Sequence, residues 1–308
     1  MGYKLAGFDV VGANDIDPKM AEVYKANHNP KHFYLESIEA LAKRRDFPKE
    51  FYDLDILDGS PPCSNFSMTG NREKDWGKQK KFREGQADQV LDTLFFDFID
   101  LAAHLRPKVV IAENVKGLIQ GNAKSYVRRI KKEFETAGYK VQLFLLNAAS
   151  MGVPQRRERV FFICQRNDLN LSKLRLGFNE RGIVYKEIRN GNNKISDKQT
   201  TVKAQLWYRV KSGDCFAKYH KTGSFFNDSK LSTDSTVPTL TADPSHGSWD
   251  YEYCRMLDGE ELCKAGSFPM DYNFLGIKPK YLIGMSVPPV MTAQVANQVY
   301  EQWLKQLS

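Results

Sequence analysis

The sequence predicts an α/β protein: a mostly parallel, twisted sheet flanked by helices, with a second, smaller domain inserted late in the chain. Three observations predict it. Residues 108–112 and 160–164 are short, continuous apolar runs, the pattern of strands covered on both faces. Helical segments at 87–105 and 123–137 separate the apolar runs, so strands and helices alternate as in βαβ units. From Asn167 to about Ser248 the composition turns polar, with Gly, Asn, Ser and Lys clusters, scattered aromatics and no long amphipathic helix. That stretch predicts a small, irregular, mostly β second domain. A chain of 308 residues is long enough to bury a full core and to hold both domains.

The elements follow in order. Residues 3–8 read as the end of a helix closed by Gly7. A strand at 10–13 runs into Asp15-Ile16-Asp17-Pro18, and Pro18 can open a helix over 19–27. An acidic residue at such a strand end meets ribose hydroxyls in nucleotide-type folds, which makes Asp15 a candidate; the alternative is an Asp17 helix cap beside a solvated Asp15. A strand at 52–57 leads to Asp58-Gly59-Ser60-Pro61-Pro62-Cys63-Ser64-Asn65-Phe66-Ser67. Two prolines fix φ ahead of Cys63, so its thiol sits on a stiff loop at the carboxyl edge of the sheet, where ligands bind in open α/β folds. Alone, a cysteine there is as readily a small buried hydrophobe. The polar, basic segment 71–86 carries Arg72, Lys74, Lys78, Lys80, Lys81 and Arg83, and a loop that long points to function.

The strand at 108–112 ends in Glu113-Asn114-Val115, and a right-handed βαβ unit brings residues 63 and 113 to one sheet edge. Arg128, Arg129, Lys131 and Lys132 read as the solvated face of their helix. Gln155, Arg157 and Arg159 alternate, so an extended chain turns all three to one side. The stretches 198–203 and 211–221 suit phosphate and base contacts. Val295, Val299 and Trp303 form an i, i+4, i+8 stripe on a last helix, 292–304, that should pack on the first domain.

A net charge of +8 and a pI near 9.1 suit a polyanionic partner. No run of 18 apolar residues exists to span a membrane, and the first residues lack a signal-peptide layout. Five scattered cysteines show no metal-ligand spacing, which predicts no metal and a reducing, cytoplasmic setting.

Pro62-Cys63, Glu113-Asn114-Val115, Gln155-Arg156-Arg157-Glu158-Arg159 and Gly284-Met285-Ser286-Val287-Pro288-Pro289 occur in the order of the corresponding motifs of the DNA (cytosine-5) methyltransferase family. The chain resembles that family from about Leu5 to its end, outside the middle third. Thr236 to Thr241, Arg255-Met256-Leu257 and Phe268-Pro269 are similar to the segments that return from the family's inserted domain and pack beneath it. The resemblance implies a Rossmann-like, S-adenosylmethionine-dependent methyltransferase sheet from residues 1–165 with 272–308, and a target-recognition domain from 166–271. It implies transfer of a methyl group from S-adenosylmethionine to C5 of a cytosine flipped out of a specific sequence in double-stranded DNA. The setting would be restriction–modification or phage, in the cytoplasm, and the protein a monomer.

By the same resemblance, Cys63 would attack C6, and Glu113 would act at N3 with its pKa raised by burial. Arg159 would hold O2, with Arg157 supporting the loop or a phosphate. The implied cofactor contacts are Asp15, Ile16, Ser37, Ile38, Pro62, Leu94, Ser286 and Val287. The implied DNA contacts are Ser64, Ser67, Gln155, Arg72 and Lys74. Two positions depart from the family's pattern: Ser37-Ile38 stands for an Asp-Ile pair, and Met285 for Asn.

The family's opening Phe-x-Gly-x-Gly turn is absent. Its strand would lie between the strands ending near Asp15 and Asp58, so a gap is expected there. The corresponding expectation is that Met1 is not the start of the functional enzyme, or that a second polypeptide supplies the strand; the alternative function is a weakly active relative that binds DNA. A tRNA cytosine methyltransferase shares the motifs, but its Cys-Phe-Thr signature is not found. A cysteine hydrolase would need a histidine beside Cys63, and His28, His32, His104, His220 and His246 sit in no such motif.

Overall fold

The computed structural model describes residues 1–61, 79–80, 89–90, 93–191 and 201–307. It forms two compact units, one of residues 9–146, 158–176 and 297–308, the other of residues 1–8, 147–157 and 177–296.

The first unit carries the sheet. β1 (Gly12–Asp15) pairs in parallel with β2 (His32–Leu35). Between them runs α1 (Pro18–His28), capped by the Asp17 carboxylate, which accepts the Lys19 and Met20 N–H groups. Pro18 stands at the first helical position, where a missing N–H costs nothing. α2 (Ile38–Lys43) follows. A separate ladder has the order β3–β4–β6–β5, formed by β3 (Ile56–Gly59), β4 (Val109–Val115), β5 (Tyr139–Asn147) and β6 (Glu158–Arg166). β3 is parallel to β4, and β6 is antiparallel to it. Among the described residues no ladder joins β1 to β3. The interruption falls at the expected place.

α3 (Leu94–Leu105) and α4 (Lys124–Thr136) cover one face of this ladder. Phe95, Phe98, Ile99 and Ala102 of α3 and Val127, Ile130 and Phe134 of α4 recur at helical spacing and meet Val110, Ala112, Val160, Phe162 and Cys164 from the strands. Gly59 is required at the end of β3, since a Cβ there would lie 2.4 Å from the Phe98 ring. The β1–β2 pair is held by aromatic packing: Phe51 lies under Gly12, and Tyr34 meets Phe47 and Phe51 with centroids 5.7 and 5.9 Å away.

Several boundaries differ from expectation. Residues 49–53 wind into a 3₁₀ turn, which places Phe51 in the core and delays β3 to Ile56. β1 is Gly12–Asp15 rather than 10–13. Glu113, Asn114 and Val115 belong to β4 itself, because β6 pairs with it through Val115↔Arg159.

Among its described residues the second unit is not mostly β: the strands there are two residues long and the helices short, such as Tyr185–Ile188, Val202–Trp207, Gly259–Gly266 and Pro279–Met285. This unit runs on past Asp271 to residue 296. In place of a sheet it has an apolar cluster of Trp207, Phe216 and Trp249 and a buried ionic cluster. Asp250 and Glu261 are fully buried, and Arg255, Arg189 and Tyr185 converge on them. The final helix, Pro289–Gln302, buries Val295, Val299 and Trp303 as expected, and the Trp303 ring N–H donates to the Ser172 carbonyl.

Candidate active site

At the carboxyl end of β4, Glu113 and Arg159 meet. The register sets Arg159 opposite Val115, so Glu113 is its diagonal neighbour on the same sheet face, opposite the helical core. Arg159 Nε lies 2.8 Å from Glu113 Oε1, and both side chains are nearly buried. Burial pulls the Arg159 guanidinium below its ordinary value, and Glu113 opposes that pull. A few residues away, Lys116 pairs with Glu158 at 2.8 Å.

Asn114 turns the other way and fixes the approach to the cysteine loop. Gly59 is level with Ala112 in the parallel pairing, so two residues further on Pro61 arrives beside Asn114. The Asn114 amide donates to the Pro61 carbonyl at 2.9 Å, and its oxygen accepts the Val115 N–H. Pro61, two residues before Cys63 in sequence, is therefore tied to the strand that carries Glu113. Sequence reading assigned Asn114 no role; the signal was its place between Glu113 and Val115 in a strand otherwise apolar. Cys63 lies outside the described residues, as do Pro62, Ser64, Ser67, Arg72 and Lys74.

Three of the remaining cysteines are poor nucleophiles. Cys164, Cys254 and Cys263 are buried, and burial pushes each thiol up. Cys215 donates towards the Phe225 and Phe226 carbonyls.

Gln155 and Arg157 are latches of the second unit. The Gln155 amide donates to the Ala265 carbonyl, and its oxygen accepts the Leu240 N–H. Arg157 is 1% exposed and donates to the Leu240 and Gly284 carbonyls at 2.9 and 2.8 Å. Gly284 is needed for that approach: a Cβ there would sit 2.4–2.6 Å from backbone atoms of Thr241 and Ala242. Gln155, expected at DNA, thus has its amide bound to the protein's own backbone, and the strict alternation of 155, 157 and 159 yields two latches and one Glu113 partner.

The expected cofactor contacts among the described residues each have a defined local setting. Asp15 ends β1, and its Oδ1 accepts the Asp17 N–H at 2.8 Å, a turn that holds Ile16 between them. Asn14 fastens β1 to β2 and to the residue just after it through the Tyr34 and Glu36 carbonyls. Ser37 caps α2 through the Ala40 N–H, and Ile38 packs into the core. Leu94 is buried in the first turn of α3. Ser286 closes the helix Pro279–Met285 by donating to the Leu282 carbonyl, with Val287 half-buried after it. Among the described residues no cluster of His, Cys, Asp or Glu could hold a metal, and no helix is long and apolar enough to cross a membrane.

A mixed α/β sheet with this order is the Rossmann-like methyltransferase fold. A prophage-encoded DNA modification methyltransferase from E. coli shares it, with a TM-score of 0.70 at 19% identity over 98% of this chain and 94% of that one. The chain belongs to the C-5 cytosine-specific DNA methylase family, whose profile matches residues 1–301. It is 32% identical over 228 residues to the Type II methyltransferase M.FnuDI of Fusobacterium nucleatum, a match covering 73% of this chain and 60% of that protein. It is 28% identical over 336 residues to the Type II methyltransferase M1.HphI of Haemophilus parahaemolyticus, covering 97% and 82%.

Proposed function

We propose that this chain methylates C5 of a cytosine flipped out of a specific sequence in double-stranded DNA, as a monomeric modification enzyme of the restriction–modification or phage type in the cytoplasm. The observation that carries the reading is the buried Glu113–Arg159 pair beside the anchored Pro61, two residues before Cys63 in sequence. C5 of cytosine is a weak nucleophile. The Cys63 thiolate adds to C6, opens the C5–C6 double bond and makes C5 enamine-like. Glu113 holds a proton or strong hydrogen bond at N3, which takes up the electron density that the addition releases. Arg159 holds O2 from beside Glu113, and Arg157 supports the segments of Leu240 and Gly284 whose carbonyls it bonds. Once C5 carries the methyl group, loss of its proton and expulsion of Cys63 restore the ring.

S-adenosylmethionine supplies the methyl group when bound. The donor set fits its nucleoside end: Asp15 presents a carboxylate at the carboxyl end of β1, the place for ribose hydroxyls in such folds, and Ile16 offers apolar surface for adenine. Pro62, Leu94, Ser286 and Val287 are further candidates for cofactor contacts on the strength of the family resemblance. Ser37 and Ile38 serve it by shaping the start of α2. Ser64, Ser67, Arg72 and Lys74 are assigned to DNA, together with the unit that carries residues 177–296, the counterpart of the 166–271 target-recognition domain.

Duplex DNA carrying 5-fluorocytosine tests the reading, because fluorine cannot leave C5 as a proton does and the adduct persists. The wild-type chain should form a covalent, denaturant-resistant complex in the presence of S-adenosylmethionine, and Cys63→Ser should form none while still binding DNA. A Cys63→Ser protein that still traps would remove Cys63 as the nucleophile.

A further inference from the structure

Within the unit of residues 177–296 one partly exposed side chain, His246, has an unusually built support. Asp228 is fully buried, and its carboxylate receives four donors. Oδ1 accepts the Trp249 ring N–H at 3.0 Å and the Gly247 N–H at 3.1 Å. Oδ2 lies 3.0 Å from Lys203 Nζ and 2.5 Å from His246 Nδ1. A carboxylate saturated in this way can only accept, so Nδ1 of His246 carries the hydrogen. The Nδ1 hydrogen is directed at Asp228, and the opposite ring nitrogen, Nε2, points away from that carboxylate on a side chain that is 28% exposed.

The loop beneath the ring is pinned as well. Asp243 Oδ1 takes the N–H and hydroxyl of Ser245, Lys280 Nζ donates to the Asp243 carbonyl at 2.6 Å, and Lys203 donates to the Ser245 carbonyl. The charged groups around the ring are Asp228, Asp243, Lys203 and Lys280, two of each sign. Both lysines spend their donors on the cluster. A phosphate site would show an excess of positive charge, whereas here the outward group is a single hydrogen-bonding nitrogen of set geometry in balanced surroundings.

We propose that His246 reads a base edge in the DNA. With Nδ1 turned toward Asp228, Nε2 is the ring atom that can form a hydrogen bond with a base edge in the major groove. Asp228 is the positioning residue that orients the ring. The inference rests on duplex DNA being the substrate, as proposed above.

The test is selection of bound sequences from a random duplex library, which needs no methyl transfer. The wild type, His246→Asn and His246→Gln are compared as full chains. Asparagine can keep the Nδ1-like bond to Asp228 but lacks the outer nitrogen; glutamine reaches outward. His246→Asn should lose about tenfold discrimination at one base position, keep overall affinity and salt dependence, and melt like the wild type. His246→Gln should alter or partly restore the preference at that same position. Unchanged selection by His246→Asn overturns the proposal. So does an equal loss of affinity on all sequences with a shallower salt slope, which marks a phosphate contact. Binding of no duplex by the wild type sinks the DNA reading itself, and the two failures are thereby distinguished.

Discussion

At the residue scale, the site rests on which way a polar side chain turns within a strand. Glu113 and Arg159 were legible from motif and alternation, and the antiparallel register brings them together. Asn114, Gln155 and Arg157 were not legible in the same way. A buried arginine that donates to two carbonyls and an arginine that meets a nucleic acid look alike in sequence, since both must satisfy the same fork of donors. The partners of Arg157, Leu240 and Gly284, lie 83 and 127 residues away, so only the fold reveals them. Likewise Ser37 reads as a contact or as a helix cap until the Ala40 N–H is seen on its hydroxyl. For the chemistry, Glu113→Gln keeps the shape but cannot hold a proton at N3, so single-turnover methyl transfer should slow by about 10²-fold or more. The rate of transfer to a defined duplex measures it, and a rate equal to wild type removes Glu113 from the mechanism.

At the scale of elements, the unit of residues 177–296 shows why composition misled about its architecture. Its polar residues suggested surface loops between strands, yet Asp250, Glu261 and Arg255 form its interior. Arg255 donates to both oxygens of Glu261 at 2.7 and 2.9 Å and reaches Asp250 at 3.2 Å. Replacing it with Met would leave two buried carboxylates facing fewer cations, a loss of about 3–5 kcal/mol. Arg255→Met should therefore lower the unfolding midpoint by roughly 10 °C, and a melting curve within a degree or two of the wild type would contradict the assignment.

The same cluster sets an acid limit. Burial pushes the Asp250 carboxyl up, but bonds from Arg189, the Tyr253 and Glu252 N–H groups and Tyr185 outweigh it and hold it below its ordinary value. A depressed carboxylate stabilises the fold above its unfolded value near about 4 and loses that contribution as pH falls through its native value. Melting midpoints should hold between pH 7 and 5 and drop below about pH 4; a midpoint unchanged at pH 3 would count against it.

At the scale of the whole molecule, the strands at 109–115 and 158–166 and the helices at 94–105 and 124–136 were readable from their apolar runs and helical spacing, whereas the strands at 32–35 and 139–147 were not. The short pairings of the second unit carry no such period. The split between the β1–β2 pair and the β3–β4–β6–β5 ladder was also foreseeable, at the point where an intervening strand was expected. β4 and β6 pair through seven residue pairs and are buried along almost their whole length. β1 and β2 share four and are half-exposed throughout, apart from Leu35, which is exposed. Amide hydrogen exchange should show β4 and β6 as the slowest regions and β1 and β2 faster by about tenfold or more. Uniform protection across all four strands would show that the two ladders open as one.

That split has a thermodynamic consequence. Among the described residues, the leaf made by β1, α1 and β2 meets its neighbours through the Phe51 and Tyr34 rings and the Lys31 and His32 pairs with Glu50, with no backbone ladder to β3, so it can breathe as a small cooperative unit of its own. Asp15 and Ile16, the proposed nucleoside contacts, sit on that leaf. A ligand that grips them only in the closed leaf adds RT ln(1 + [L]/Kd) to the closing equilibrium. Occupancy of the nucleoside pocket would then be written in the exchange rate of residues 12–35, a local clock for binding that runs without any turnover.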